Sequence, residues 1–187
     1  MAQVYAAFLR GINVGGHRKL PMAELRAAME GLGFSQVATY VASGNVVFVV
    51  EDDDQARVRS AIETAIAKNW GYQDVPVALR THRELAAAYE ASPHLDSGVE
   101  PNWRFIALLS EPPAASALKD LDGNALAPDV FTVDGAHAHV LLPNGAAKSK
   151  LTTNYLEKHL GVTATLRNHK TIAKVIDLAA ERIHEKG

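Results

Sequence analysis

Two stretches of this chain, one before Ser92 and one after Asn102, run through the same order of apolar patterns and breakers. In the first, Val4 to Leu9 is an apolar run of strand length, closed by Arg10-Gly11. Met22, Leu25, Met29 and Leu32 recur at helical spacing after Pro21 and stop at Gly33. Val37 to Val41 and Asn45 to Val50 read as strands two and three, joined by a Ser43-Gly44-Asn45 turn. Val58, Ile62, Ala65, Ile66 and Trp70 give a second helix ending at Gly71. Its start carries Asp52, Asp53 and Asp54, where carboxylates meet the positive end of the helix dipole. Val75, Val77 and Leu79 alternate as strand four, and Thr81-His82-Arg83-Glu84 is a capping box that opens a helix to about Glu90.

The order then returns. Trp103 to Leu109 is a strand, and Pro112-Pro113 opens a helix to about Leu121. Val130 to Val133 and His137 to Leu142 flank an Asp134-Gly135 turn, and a helix spans Ser149 to Leu160. After a strand from Val162 to Leu166, Asn168 caps a last helix whose apolar face is Ile172, Val175, Ile176, Ala179 and Ile183. Twice over, then, the chain reads βαββαβ. The expected fold is α+β, a tandem pair of ferredoxin-like halves. The halves are 1–91 and 103–187, the latter with an extra terminal helix, and the Pro/Gly/Ser/Asp-rich stretch 92–102 connects them. Two packed sheets and one joined sheet are equally compatible with this pattern.

Composition removes several chemistries. The chain has no cysteine among its 187 residues, which excludes disulfides, thiolate metal sites and a Cys nucleophile, and fits a reducing compartment. Its start lacks a basic segment followed by an apolar one, and no apolar run is long enough to span a membrane. A cytoplasmic location is the expectation. Net charge is −2, which argues against bulk attraction to nucleic acid.

Three places could hold a ligand. Arg10-Gly11-Ile12-Asn13-Val14-Gly15-Gly16-His17-Arg18-Lys19 lies between a strand and a helix, the context of a phosphate-binding loop. Glycines let main-chain N–H groups approach an anion, and a helix N-terminus adds positive potential. His17 stands where a nucleotide-binding P-loop needs Lys, and no Ser or Thr follows for Mg²⁺, which argues against that motif. A long structural turn is the alternative. Ser43-Gly44-Asn45 suits a plain hairpin turn, but antiparallel pairing of strands one and three would bring it to the rim of the first loop. The third place is basic: Lys148 to Lys174 holds six Lys or Arg against Glu157 alone. Within it, Lys150, Arg167 and Asn168 could hold an oxyanion, or be a solvated face and a helix cap. His137 and His139 share a strand face. Without an evident third ligand they are expected to be exposed strand histidines rather than a metal site. Asp52 to Asp54 suit a helix start better than a divalent ion. No hydrolase, zinc-protease or dinucleotide motif is present, and no acid–base dyad.

Several of these strings are familiar. Leu9-Arg10-Gly11-Ile12-Asn13-Val14-Gly15-Gly16, Lys19, Leu32-Gly33-Phe34, Thr39-Tyr40-Val41 and Ser43-Gly44-Asn45-Val46-Val47-Phe48 resemble the family called domain of unknown function 1697. So do Ser149-Lys150-Leu151, Leu156-Glu157-Lys158, Leu160-Gly161 and Thr165-Leu166-Arg167-Asn168 with Thr171. The resemblance runs over nearly the whole chain. It departs at His169, where it leads one to expect Trp. It implies an α+β fold of two related halves and brings no established activity.

The first functional expectation is a protein, catalytic or not, that binds a phosphorylated small molecule or nucleotide. It would use Arg10, Asn13, Gly15, Gly16 and Lys19, joined by Ser43, Asn45, Lys150, Arg167 and Asn168. The alternatives are a nucleic-acid binding module, disfavoured by 6% aromatics and the absence of an RNP-like string, and a non-catalytic interaction protein. Catalytic residues, cofactor and oligomeric state stay unassigned.

Overall fold

A computed structural model gives the fold and describes residues 2–51, 54–119 and 121–184. It is a mixed α+β structure with two four-stranded antiparallel sheets and, among the described residues, six α-helices. The chain divides into two units: residues 1–86 with 174–187, and residues 87–173.

In the first unit the elements are β1 (Gln3–Leu9), α1 (Met22–Gly31), β2 (Ser35–Tyr40), β3 (Asn45–Val50), α2 (Gln55–Trp70), β4 (Val77–Thr81) and the start of α3 (His82–Glu90). The strands lie in the order β2-β3-β1-β4. Strand β1 is inner, and from Val4 to Leu9 every residue is buried, which is why this run is apolar without alternation. Tyr5, Ala7 and Leu9 meet Leu25 and Met29 of α1 and Val58, Ile62 and Ile66 of α2 in one core. Asp54 caps α2 by accepting the N–H groups of Ala56 and Arg57, and Gly71 ends it in a left-handed conformation. Asp52 and Asp53 lie outside the described residues.

The second unit repeats the plan with β5 (Arg104–Leu109), α4 (Ala115–Lys119), β6 (Val130–Asp134), β7 (His137–Leu141), α5 (Thr153–Leu160) and β8 (Ala164–Asn168) in the order β6-β7-β5-β8. Helix α6 (His169–His184) starts in this unit and ends in the first.

Some boundaries differ from the sequence expectation. Two prolines hold the chain extended before α4, which starts at Ala115 rather than Pro112. Helix α5 starts at Thr153, not Ser149. The Ser149 hydroxyl takes the Leu151 N–H at 2.9 Å, a local bond that competes with helix, and Thr152 is the cap. Lys150 therefore sits in a loop. Val41 leaves the second strand at φ 51 to form the turn.

Candidate functional site

The segment from Arg10 to Leu20 folds back on itself as a narrow ribbon. Asn13 N–H donates to Arg18 O at 3.1 Å and His17 N–H to Val14 O at 2.9 Å. Gly15 and Gly16 form its tip with φ 57 and 80, a double left-handed turn that β-carbons resist. Both glycines are exposed, and Val14 beside them is 64% exposed.

Side chains fix the ribbon at its base. The Asn13 amide donates to Leu20 O at 2.9 Å and to Ala42 O at 2.8 Å, and its oxygen accepts the Leu20 N–H at 2.8 Å. Arg18 grips Asp74 with two bonds of 2.7 Å and reaches the Asp74 carbonyl at 3.1 Å. Tyr72 donates to the Lys19 carbonyl at 3.0 Å. The Lys19 side chain is exposed, while Arg10 is half-buried.

Rim-sharing between ribbon and turn follows from the register. Phe8 pairs with Asn45, and Leu9 N–H donates to Gly44 O at 2.8 Å. Asn45 is buried, and its amide donates to Tyr40 O at 2.8 Å and to Ser43 Oγ at 3.1 Å. Ser43 itself is exposed. Asn13 and Asn45 thus spend their amides on the frame. The expected help from a helix N-terminus is corrected: the glycine tip heads a ribbon, and α1 begins only at Met22 after an uncapped Pro21.

The second-half candidates belong to the other unit. Lys150 lines an open groove of about 620 Å³ with Lys148, Ser149, Asn144 and Asp129. Asn168 is a helix cap, its Oδ1 accepting the Thr171 N–H at 2.8 Å. Arg167 donates to the Leu166 carbonyl at 3.0 Å, and burial lowers its pKa to about 10. The basic stretch is therefore split among a groove, a cap and a guanidinium withdrawn from solvent.

His139 overturns an expectation. It is not an exposed strand histidine but 1% exposed, and His169 is fully buried. The His169 ring tilts against Tyr89 with centroids 5.0 Å apart, and its Nε2 lies 3.4 Å from Ser92 Oγ. His94 is buried nearby, and Arg104 donates to the carbonyls of His94 and Leu95. Sequence reasoning missed this group because its members come from the connector, two strands and a helix start, with no fixed spacing. Among the described residues no three His, Asp or Glu side chains are arranged to hold a metal ion. None of their helices is long and apolar enough to cross a membrane.

This architecture is shared with a solved bacterial structure. The conserved bacterial protein SP0830 from Streptococcus pneumoniae matches with a TM-score of 0.71 at 23% identity, over 96% of this chain and 99% of that one. That likeness defines the fold class. Residues 2–139 match the family described as Protein of unknown function (DUF1697), and the chain belongs to that family. None of the curated proteins matches it.

Proposed function

We propose that this protein binds a phosphorylated small molecule or nucleotide on the Arg10–Leu20 ribbon. The observation that carries the reading is a solvent-facing glycine tip held at its base by Asn13 and by the Arg18–Asp74 clamp. A rigid main-chain turn loses little entropy when it receives a ligand. Gly15 and Gly16 supply N–H groups toward an anion, Lys19 and Arg10 supply charge, and Ser43 offers a hydroxyl on the same rim. Asn13 and Asn45 keep the rim in shape. Of the second-half candidates, Lys150 in its open groove offers a further cationic contact, while Arg167 is withdrawn and Asn168 caps α6.

The reading takes the chain as a tandem of ferredoxin-like halves working in the cytoplasm, which the matching strand orders and the lack of cysteine support. A panel of nucleotides and sugar phosphates, scored by melting temperature and by the Gly15 and Gly16 amide resonances, tests it. A true ligand raises the melting temperature and moves both resonances. Lys19→Ala and Arg10→Ala each weaken binding about tenfold, the weight of one charge-assisted hydrogen bond. If no compound moves those resonances, the proposal fails.

A further inference from the structure

The second unit buries an unusual group of nitrogens. His139 Nδ1 and Nε2, His169 Nδ1, His94 Nε2 and Arg104 Nε are all inaccessible and have no hydrogen-bond partner among the described residues. Each buried polar atom left alone costs stability, so five in one unit ask for an occupant.

The register gathers them. On β5, Arg104 and Ile106 point to the sheet face opposite the core of Ala107, Leu109, Val140 and Leu156. Ile106 is flanked by His139 on one side and by Arg167 on the other. Phe105 pairs with Asn168, so continuing the register sets Arg104 beside His169. The connector supplies His94, whose ring bonds to the His139 main chain, and Ser92, which meets His169.

The charges facing this spot are mostly of one sign. Arg104 and Arg167 are cations, and His94, His139 and His169 can become cations. Asp134 is the carboxylate that acts on His139, Tyr89 lies against His169, and His137 stands two residues along the same strand. Arg104 Nε–H is a permanent donor, the neutral rings of His139 and His169 carry one N–H each, and His94 spends its own on the His139 main chain. A metal cation would meet a fixed guanidinium, and the ring geometry does not converge as ligands.

We propose that the group formed by Arg104, His139 and His169, with His94 beside it, is an internal binding site for a small inorganic anion of halide size. The anion accepts from Arg104 Nε–H and from the N–H groups of His139 and His169, and from His94 Nε2 only once that ring is protonated. An anion favours the protonated rings and so binds more tightly as pH falls, and burial, which lowers the pKa of all three histidines, places that gain below the ordinary imidazole range. This site is independent of the ribbon reading and stands or falls without it.

Bromide tests it twice. A crystal soaked in sodium bromide should show an anomalous peak within hydrogen-bonding distance of Arg104 Nε and His139. In solution, bromide should raise the melting temperature of the native protein more at pH 5 than at pH 7, against sodium fluoride at equal ionic strength. Arg104→Met and His139→Phe should abolish the difference. A buried peak without anomalous signal is water and overturns the proposal. A bromide peak without the pH-dependent shift is binding at crystal concentration only and overturns it as well. Should a variant fail to fold, the crystal and the native pH comparison decide.

Discussion

Gly44 shows what one missing atom does. A β-carbon there would stand 2.5 Å from Ile12 Cδ1 and 2.9 Å from Leu9 Cβ, at a φ of 79 that side chains resist. Glycine is what lets the turn close against the base of the ribbon. Gly44→Ala is expected to destabilise the protein by about 2–4 kcal/mol, adding left-handed strain to overpacking. Urea unfolding would measure it, and a loss under 1 kcal/mol would mean that Ile12 gives way freely. Asn13 is the polar counterpart, since its three hydrogen bonds tie the ribbon to Leu20 and Ala42 while Ile12 and Leu20 anchor it in the core. Asn also tolerates the φ of 54 that this position adopts.

At the scale of elements, ends and edges hold the design. Thr81 N–H donates to Glu84 at 2.8 Å while Glu84 N–H donates to the Thr81 hydroxyl at 3.2 Å, a reciprocal capping box at the start of α3. Burial alone would raise the Glu84 pKa, but the bonds from Thr81 and Gln55 and the charge of Arg80 outweigh it and leave it lowered. Thr81→Ala should cost about 0.5–2 kcal/mol in the melting curve, and Thr81→Ser should recover most of it. If the serine variant melts like the alanine one, the hydroxyl is not the stabilising group. The edge strand β2 shifts register between Ser35 and Ala38, and Arg182 Nε of α6 donates to the carbonyl of Gln36 at 2.7 Å. A bulge with a cation on it discourages pairing with another chain's edge.

For the whole molecule, the decisive quantity is pH. Burial first, then the charges of Arg104, His139 and His94, lowers the His169 pKa from 6.5 to about 4. Between those values the unfolded chain binds a proton that the folded chain refuses. Stability therefore falls as pH drops below about 6.5 and levels off below about 4. His94 and His139 shift the same way and add to the loss. The Glu84 contribution fades at still lower pH as its carboxylate is protonated. In halide-free buffer the protein should lose on the order of 2 kcal/mol or more between pH 7 and pH 5. His169→Gln should flatten that slope. An unchanged melting temperature over this interval would show that these rings are not held neutral by burial.

Local information wrote most of the elements into the sequence. Apolar periodicity, the Thr81–Glu84 box, the Asn168 cap and the Gly71 and Gly161 stops act over a few residues, so Asn45–Val50 and the caps of α2, α3 and α6 were legible in advance. The ribbon was legible as a polar, glycine-bearing loop beside the Ser43–Asn45 turn, because strand pairing carries one to the other. Its hairpin form was not, since that depends on Asn13 reaching Ala42 and Arg18 reaching Asp74, partners 29 and 56 residues away. The buried histidines were least legible of all. Burial belongs to the packed face rather than to the residue, and only register and the returning connector put His94, His139, His169 and Arg104 together. Short-range chemistry determined the elements; long-range packing decided which polar groups lost contact with water.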